Sequence, residues 1–221
     1  MWLIPSTHVM TVGQRLRNSH KLKLAARLAR EALSWPSLFY WRMILKRHRR
    51  EMPVLRVHLG CGLINDPRFL NVDARRLPHV HYVSKSLLMP ALPEGCADMI
   101  YACHVFEHIS HRTQMQVLKR WLALLKPGGE LRLSVPDFEK LIDHYKNKRF
   151  GVHQVELVLM GAQEYPENFH QALFTAHHLN KLLAKAGFTD IRHWRAEDQE
   201  NWPKDWSWAE HVSLNLTAQK P

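Results

Sequence analysis

The chain has 221 residues, 46% of them hydrophobic, and a formal charge of +11, enough for one full-sized domain with a real core plus an extension. Residues 1–50 hold eleven Lys or Arg against a single acid, Glu31, while the other 171 residues hold twenty against nineteen Asp or Glu, so the basicity belongs to the N-terminal segment. Three cysteines without a CxxC pair argue against a disulfide framework and a cysteine zinc site and read as a reducing, cytoplasmic compartment; no apolar run approaches the roughly 18–20 residues of a membrane span, and no secretory signal opens the chain.

Residues 1–52 read as a basic helical extension. Leu22, Ala25, Ala26, Ala29 and Leu33 recur on one helical face, with Lys23, Arg27 and Arg30 on another. Ser34-Trp35-Pro36 breaks this helix and can start a second, because serine caps well and proline suits a first turn. The second segment, from Leu38 to Leu45, is apolar nearly all round and runs into Lys46-Arg47-His48-Arg49-Arg50. Three readings stay open for it. One is a helical cap on the following domain. Another is a foot on an anionic membrane surface at the inner face, with Trp35, Phe39, Tyr40 and Trp41 at headgroup level. The third is a nucleic-acid contact or a targeting peptide.

From residue 53 to 221, strand and helix patterns alternate. Strands are predicted at 54–59, 69–72, 80–83, 98–103, 130–135, 189–195 and 211–218, and helices near 64–67, 112–125, 137–147, 152–162 and 176–186. This alternation predicts an α/β, Rossmann-like doubly wound sheet. Lys126-Pro127-Gly128-Gly129 and Ala186-Gly187-Phe188 carry helix-ending glycines. The most informative stretch is the strand 54–59 running into Gly60-Cys61-Gly62, followed by Asp73 at the end of the next strand. The glycines let backbone N–H groups approach a ligand, and a carboxylate so placed accepts both hydroxyls of a ribose. A dinucleotide fingerprint wants a third glycine where this chain has Asn65, which speaks against NAD.

These residues resemble the class I S-adenosylmethionine (SAM)-dependent methyltransferases over essentially all of 53–218. The resemblance is carried by His58-Leu59-Gly60-Cys61-Gly62, Phe69-Leu70-Asn71-Val72-Asp73, the run Ala97 to His108, the run Leu124 to Asp137, and Ala186-Gly187-Phe188. The wording HLGCG, FLNVD and HVFEH is similar, more narrowly, to small methyltransferases associated with surface-polysaccharide or glycan synthesis. The resemblance implies a seven-stranded sheet with its last strand antiparallel and SAM lying across the strand ends. It also implies that Gly60, Cys61 and Gly62 pass under the methionine part, that Asp73 holds the ribose, and that Cys103 and His104 line the cofactor through their backbone. Three positions depart from the family pattern, one of them Ile64, which stands at the place of a third glycine. His58 stands where an acid is common, and Ser84-Lys85-Ser86 stands where an Asp often meets the adenine amine, leaving Ser86 as a weaker acceptor.

Methyl transfer is an in-line displacement that needs alignment, exclusion of water and, for a hydroxyl nucleophile, a base. His108 and His170 are the candidate bases, and a structural histidine is the alternative for each. Asp137 either orients a substrate hydroxyl or caps the next helix. Glu107 either serves the substrate side or meets a helix dipole. His104-Val105-Phe106-Glu107-His108 matches HxxEH letter for letter, but it starts at a strand end rather than within a helix, so no metal is expected. Four tryptophans between Trp194 and Trp208, with Asp198, Asp205 and Glu210, form either a sugar platform or a packed loop. The expectation is a SAM-dependent O-methyltransferase acting on a sugar, glycan or lipid-linked glycan. Methylation of RNA or protein, and a cofactor-dead adaptor, are the alternatives. Nucleobase amines are disfavoured because Cys103-His104-Val105-Phe106 replaces the Asn/Asp-Pro-Pro-aromatic motif that would grip them.

Overall fold

The computed structural model describes residues 54–199 and 202–221, so the readings of residues 1–52 lie outside the described residues. The elements are β1 (Arg56–Leu59), β2 (Leu70–Asp73), β3 (Tyr82–Val83), β4 (Ala97–Cys103), α1 (Gln114–Leu124), β5 (Leu125–Pro136), α2 (Phe138–Lys146), α3 (Val152–Met160), α4 (Ala176–Ala186), β6 (Thr189–His193) and β7 (Ser213–Gln219). One seven-stranded sheet has the order β3-β2-β1-β4-β5-β7-β6, with β7 antiparallel to both its neighbours. The α/β, Rossmann-like architecture with an antiparallel last strand is the one expected.

Side-chain alternation divides the sheet into two faces. Val57 and Leu59 of β1 and Ile100 and Ala102 of β4 enter the main core, where α1 contributes Val117, Leu118, Trp121 and Leu124 and α4 contributes Leu179 and Leu183. Tyr101 and Cys103 of β4 point the other way, into a smaller cluster with Phe69, Trp194 and Ala196. His58 belongs to that second face. It is 1% exposed, with ring centroids 5.0 Å from Tyr101 and 5.6 Å from Phe69. The position where the family often carries an acid is therefore part of an aromatic core in this chain.

Trp194 and Trp202 pack edge-on against Tyr101, which makes this part of the tryptophan-rich segment a cover for the sheet. Trp206 and Trp208 remain exposed.

Three expected elements differ. Residues 64–67 form no helix, because Asp66 Oδ1 accepts from Arg68 N at 2.9 Å and closes a local turn instead. Strand β5 begins at Leu125 rather than at 130, and of its two glycines Gly128 alone has positive φ, +74°. The helical turn after β4 is the short 3-10 turn Phe106–His108, separate from α1. Gly187 ends α4 as expected, in a left-handed conformation at φ +106°.

Candidate functional site

The strand order reverses between β1 and β4, and ligands bind at such points outside the carboxyl ends of the strands. Leu59 pairs with Val72 on one side and Ala102 on the other, so Gly60, Asp73 and His104 emerge along one edge. A cavity of about 560 Å³ opens there, lined by both glycines, Asp73, the loop after β3, His104, His108, Tyr165, Pro166, Glu167 and Gln171, while His170 lies outside this lining. That volume is within the range of small-molecule sites.

The glycine turn is built for close approach. Gly60 and Gly62 have φ of +61° and +56°, in the left-handed region that other residues avoid. A Cβ at Gly60 would run into Val105 Cγ2, whereas one at Gly62 would have no atom nearer than 3.8 Å. Cys61 N donates to Val72 O at 3.1 Å, which ties the turn to β2. Its side chain is buried and burial pushes the thiol up to about 12, so Cys61 contributes backbone and not a reactive sulfur.

Asp73 is 5% exposed and already organised. Its Oδ2 accepts from Gly62 N at 2.9 Å, and its Oδ1 accepts from Arg75 N at 2.8 Å and Arg75 Nε at 3.2 Å. A carboxylate offers about four acceptor positions, so a ribose hydroxyl has one open and gains another if the Arg75 side chain moves aside. With the left-handed glycines and the cavity beside them, this edge fits a ribose-bearing cofactor.

The loop after β3 is held from α1. Arg120 donates to Leu88 O at 2.9 Å, Met89 O at 3.1 Å and Leu92 O at 2.6 Å, and Trp121 Nε1 donates to Leu87 O at 2.9 Å. These contacts fix Ser86, Leu87 and Leu88 along the cavity wall. Two pairs join that side of the cavity to the segment 165–171. The Arg75 guanidinium stacks 4.4 Å from the Tyr165 ring centroid, and Lys85 Nζ lies 2.8 Å from Glu167 Oε1. Arg75, Arg120, Trp121 and Tyr165 all escaped the sequence reading. None belongs to a motif, and their contacts are tertiary.

The opposite wall carries the titratable groups. His104 leaves β4 at φ +49° and donates its backbone N–H to Ser134 O at 2.8 Å. Gln171 staples the distant segment to the 3-10 turn, donating from N to Glu107 O at 2.7 Å and from Nε2 to His108 O at 2.8 Å. This brings His108 and His170 together with ring centroids 4.7 Å apart, edge to face. Glu107 is fully buried beside them, its Oε1 3.9 Å from His170 Nε2, and burial raises its carboxyl to about 8. Burial lowers His104 to about 3, with His170 and His108 adding to the effect. His170 is lowered to about 4, by burial first and then by His108, and burial also lowers His108. All three imidazoles are neutral at pH 7, with a lone pair free to take a proton or a cation.

The other site candidates stand as follows. Ser86 and His104 line the cavity, while Cys103 turns its side chain into the second aromatic cluster. Of the two readings of Asp137, substrate contact or helix cap, the geometry contains the cap. Its Oδ1 accepts from Glu139 N at 3.0 Å and Lys140 N at 3.4 Å, which makes it the N-cap of α2, outside the cavity lining. Cys61, Cys96 and Cys103 are buried and form no disulfide, and among the described residues no helix is long and apolar enough to cross a membrane.

Known proteins were compared with this geometry. No curated protein matches the chain. Among solved structures, a SAM-dependent methyltransferase from Archaeoglobus fulgidus aligns with a TM-score of 0.50 at 14% identity, covering 81% of this chain and 94% of that one. The 1,6-didemethyltoxoflavin-N1-methyltransferase of Burkholderia thailandensis, solved with its substrate and S-adenosylhomocysteine, aligns with a TM-score of 0.50 at 16% identity. That alignment covers 100% of this chain and 92% of the other. At such identities the likeness is one of fold. A family model described as a methyltransferase domain matches residues 24–193, well over half the chain and reaching into the basic segment. The chain belongs to the methyltransferase-domain family.

Proposed function

We propose that the chain transfers a methyl group from S-adenosylmethionine to a hydroxyl of a sugar, glycan or lipid-linked glycan. The observation that carries this reading is the cavity itself. It joins a ribose-type edge of Gly60, Gly62 and Asp73 to a wall of neutral histidines. When bound, SAM supplies an electrophilic methyl on a sulfonium. Gly60 and Gly62 open the backbone to its methionine part, Asp73 takes the ribose, and the loop held by Arg120 and Trp121 packs against the base. On the opposite wall an acceptor hydroxyl meets His108, whose neutral ring takes the proton in the cation-free protein. Lys85, Ser110, Thr113, Glu167 and Gln171 make the cavity polar enough for a hydroxylated acceptor.

The acceptor class rests on the wording around the glycine turn, FLNVD and HVFEH. A methyl-transfer screen over nucleotide sugars, glycan fragments and RNA tests it. Label on a sugar hydroxyl supports the reading, and label confined to RNA overturns it. For residues 1–50, whose charge suits an anionic membrane surface, co-sedimentation of the whole chain and a 1–50 deletion with anionic liposomes is decisive. Equal pelleting of the two rejects a membrane foot.

A further inference from the structure

Four groups meet at one side of the cavity, His104 and His108 lining it and Glu107 and His170 adjoining them, and apart from the carboxyl proton of Glu107 they offer one another only lone pairs. Neither carboxylate oxygen of the fully buried Glu107 has a hydrogen-bond partner among the described residues. His170 Nδ1 donates to Val158 O at 2.9 Å, so the lone pair of the neutral ring sits on Nε2, 3.9 Å from Glu107 Oε1. His108 Nδ1 donates to Phe169 O at 3.2 Å, which leaves Nε2 as its acceptor nitrogen. For His104 the tautomer follows from Ser213, whose hydroxyl proton goes to Trp206 O at 2.8 Å. Ser213 Oγ must then accept from His104 Nε2 at 2.9 Å, and His104 Nδ1 turns its lone pair toward Glu107 Oε1 at 3.4 Å. Ionised, Glu107 would set buried acceptors against one another, so burial keeps its proton on at neutral pH, and a cation put in that proton's place satisfies every one of these lone pairs.

We propose that Glu107, His108 and His170 bind one divalent transition-metal cation beside the methyl-transfer cavity, which His108 lines, with the acceptor hydroxyl completing its coordination. One ligand atom from each of the three lies within 4.8 Å of the others. A cation with bonds of about 2.0–2.2 Å draws such atoms together by small side-chain rotations. The Nδ1–H groups of His108 and His170 are both anchored on backbone carbonyls, the arrangement that fixes the tautomer and aim of ligating histidines. Two imidazoles and one carboxylate suit zinc, manganese, iron or cobalt better than magnesium, and three protein ligands leave positions open.

The chemistry follows from charge. A hydroxyl bound to such a cation is more acidic, as bound water is. Its O–H bond breaks, the electron pair stays on the cation-bound oxygen, and the proton passes to water at the cavity mouth. His108 and His170 then serve as ligands, and the base role given to His108 above applies to the cation-free chain. The hydroxyl's place in this proposal rests on the methyl-transfer reading; cation binding itself does not. The HxxEH pattern pointed to His104 as the partner of His108, but the partner that the fold supplies is His170.

Chelator-treated protein titrated with Co²⁺ and followed by visible absorption tests the site, with Zn²⁺ calorimetry in parallel. Because the chain has 16 histidines, the comparison set is wild type, His108→Ala, His170→Ala, Glu107→Gln and a surface control, His153→Ala with His177→Ala. The expected result is one equivalent bound by wild type and by the surface control, with affinity at least about tenfold weaker in the site variants. Absence of a saturable Co²⁺ spectrum in wild type overturns the proposal, as does equal binding by His108→Ala and His170→Ala that keep wild-type circular dichroism. Should Glu107→Gln fail to fold, the two histidine variants decide. SAM calorimetry on the same cation-free samples separates the two readings. Co²⁺ binding without SAM binding supports the site and refutes methyl transfer, and SAM binding without Co²⁺ binding refutes the site alone.

Discussion

Replacing Asp73 with Asn tests the cofactor edge most sharply, because every neighbour of its carboxylate is a donor. Gly62 N–H meets Oδ2, while Arg75 N–H and Nε–H meet Oδ1. An Asn amide carries one oxygen and one NH₂, so whichever way it is set, the NH₂ confronts an N–H. The variant loses one of these bonds and the negative charge offered to the ribose. Hydrogen bonds to charged groups are worth about 1.5–3 kcal/mol, which predicts a SAM dissociation constant raised from about tenfold to about a hundredfold. Calorimetric titration with SAM measures this, with thermal unfolding of the ligand-free variant as the control for folding. Arg75→Ala provides the contrast. It removes the side chain that competes for Oδ1 but leaves the carboxylate in place, and is expected to bind SAM as well as wild type or better. An Asp73→Asn protein that unfolds like wild type and binds SAM within about threefold of it would falsify the assignment of the ribose to Asp73.

Gly60→Ala is expected to cost about 1–2 kcal/mol for its left-handed backbone and about 1–3 kcal/mol more for the collision with Val105. Denaturant unfolding should show Val105→Ala relieving the collision but not the backbone cost; full rescue, or no loss in Gly60→Ala, contradicts the geometry. Asp137→Ala removes an N-cap, so thermal unfolding should fall by about 2–4 °C for about 1 kcal/mol while kcat/KM stays unchanged, and a selective loss of activity would return Asp137 to the chemistry. Burial lowers His58 from 6.5 to about 4, so the folded state binds fewer protons than the unfolded one across that window. The stability this contributes is present above pH 6.5 and lost as the pH falls toward 4, on the order of 3 kcal/mol in all. His58→Leu should therefore gain on wild type as the medium is acidified through this range, and parallel stability curves for the two proteins would rule the idea out.

The sheet was legible because its strands are short, apolar and closed by recognisable turns. Arg56 to Gly60, Ala97 to Cys103 and the Gly187 cap were all readable from local pattern. Local pattern failed where a side chain competed with the backbone. Asp66 accepts from Arg68 and replaces the helix expected at 64–67. At the site, the halves that are close in sequence were found: Gly60, Gly62, Asp73 and the His104–His108 run all line or adjoin the cavity. What could not be read was the pairing of His108 with His170. It depends on Gln171 stapling a distant segment to Glu107 and His108, and no periodicity records such a contact. Arg120 and Trp121 escaped for the same reason, since on the sequence they are one polar and one apolar position of an amphipathic helix.

Two departures from ordinary folding rules meet at one end of β4, beside the cavity, and such a coincidence marks a site. Along the strand, side chains alternate between two well-packed clusters. At its end, His104 takes a left-handed conformation that for a non-glycine residue costs on the order of 1–3 kcal/mol. Three residues on, a fully buried carboxyl group stands without a hydrogen-bond partner among the described residues. Neither feature improves packing, and an aliphatic residue at 107 would avoid the second altogether. Both are held in place deliberately by the fold: β5 supplies Ser134 O to the His104 backbone, β7 supplies Ser213 Oγ to its ring, and Gln171 clamps the turn that carries Glu107. A chain that spends contacts from three separate elements to keep strained and unsatisfied groups beside a cavity is stabilising an arrangement whose use lies in what it binds.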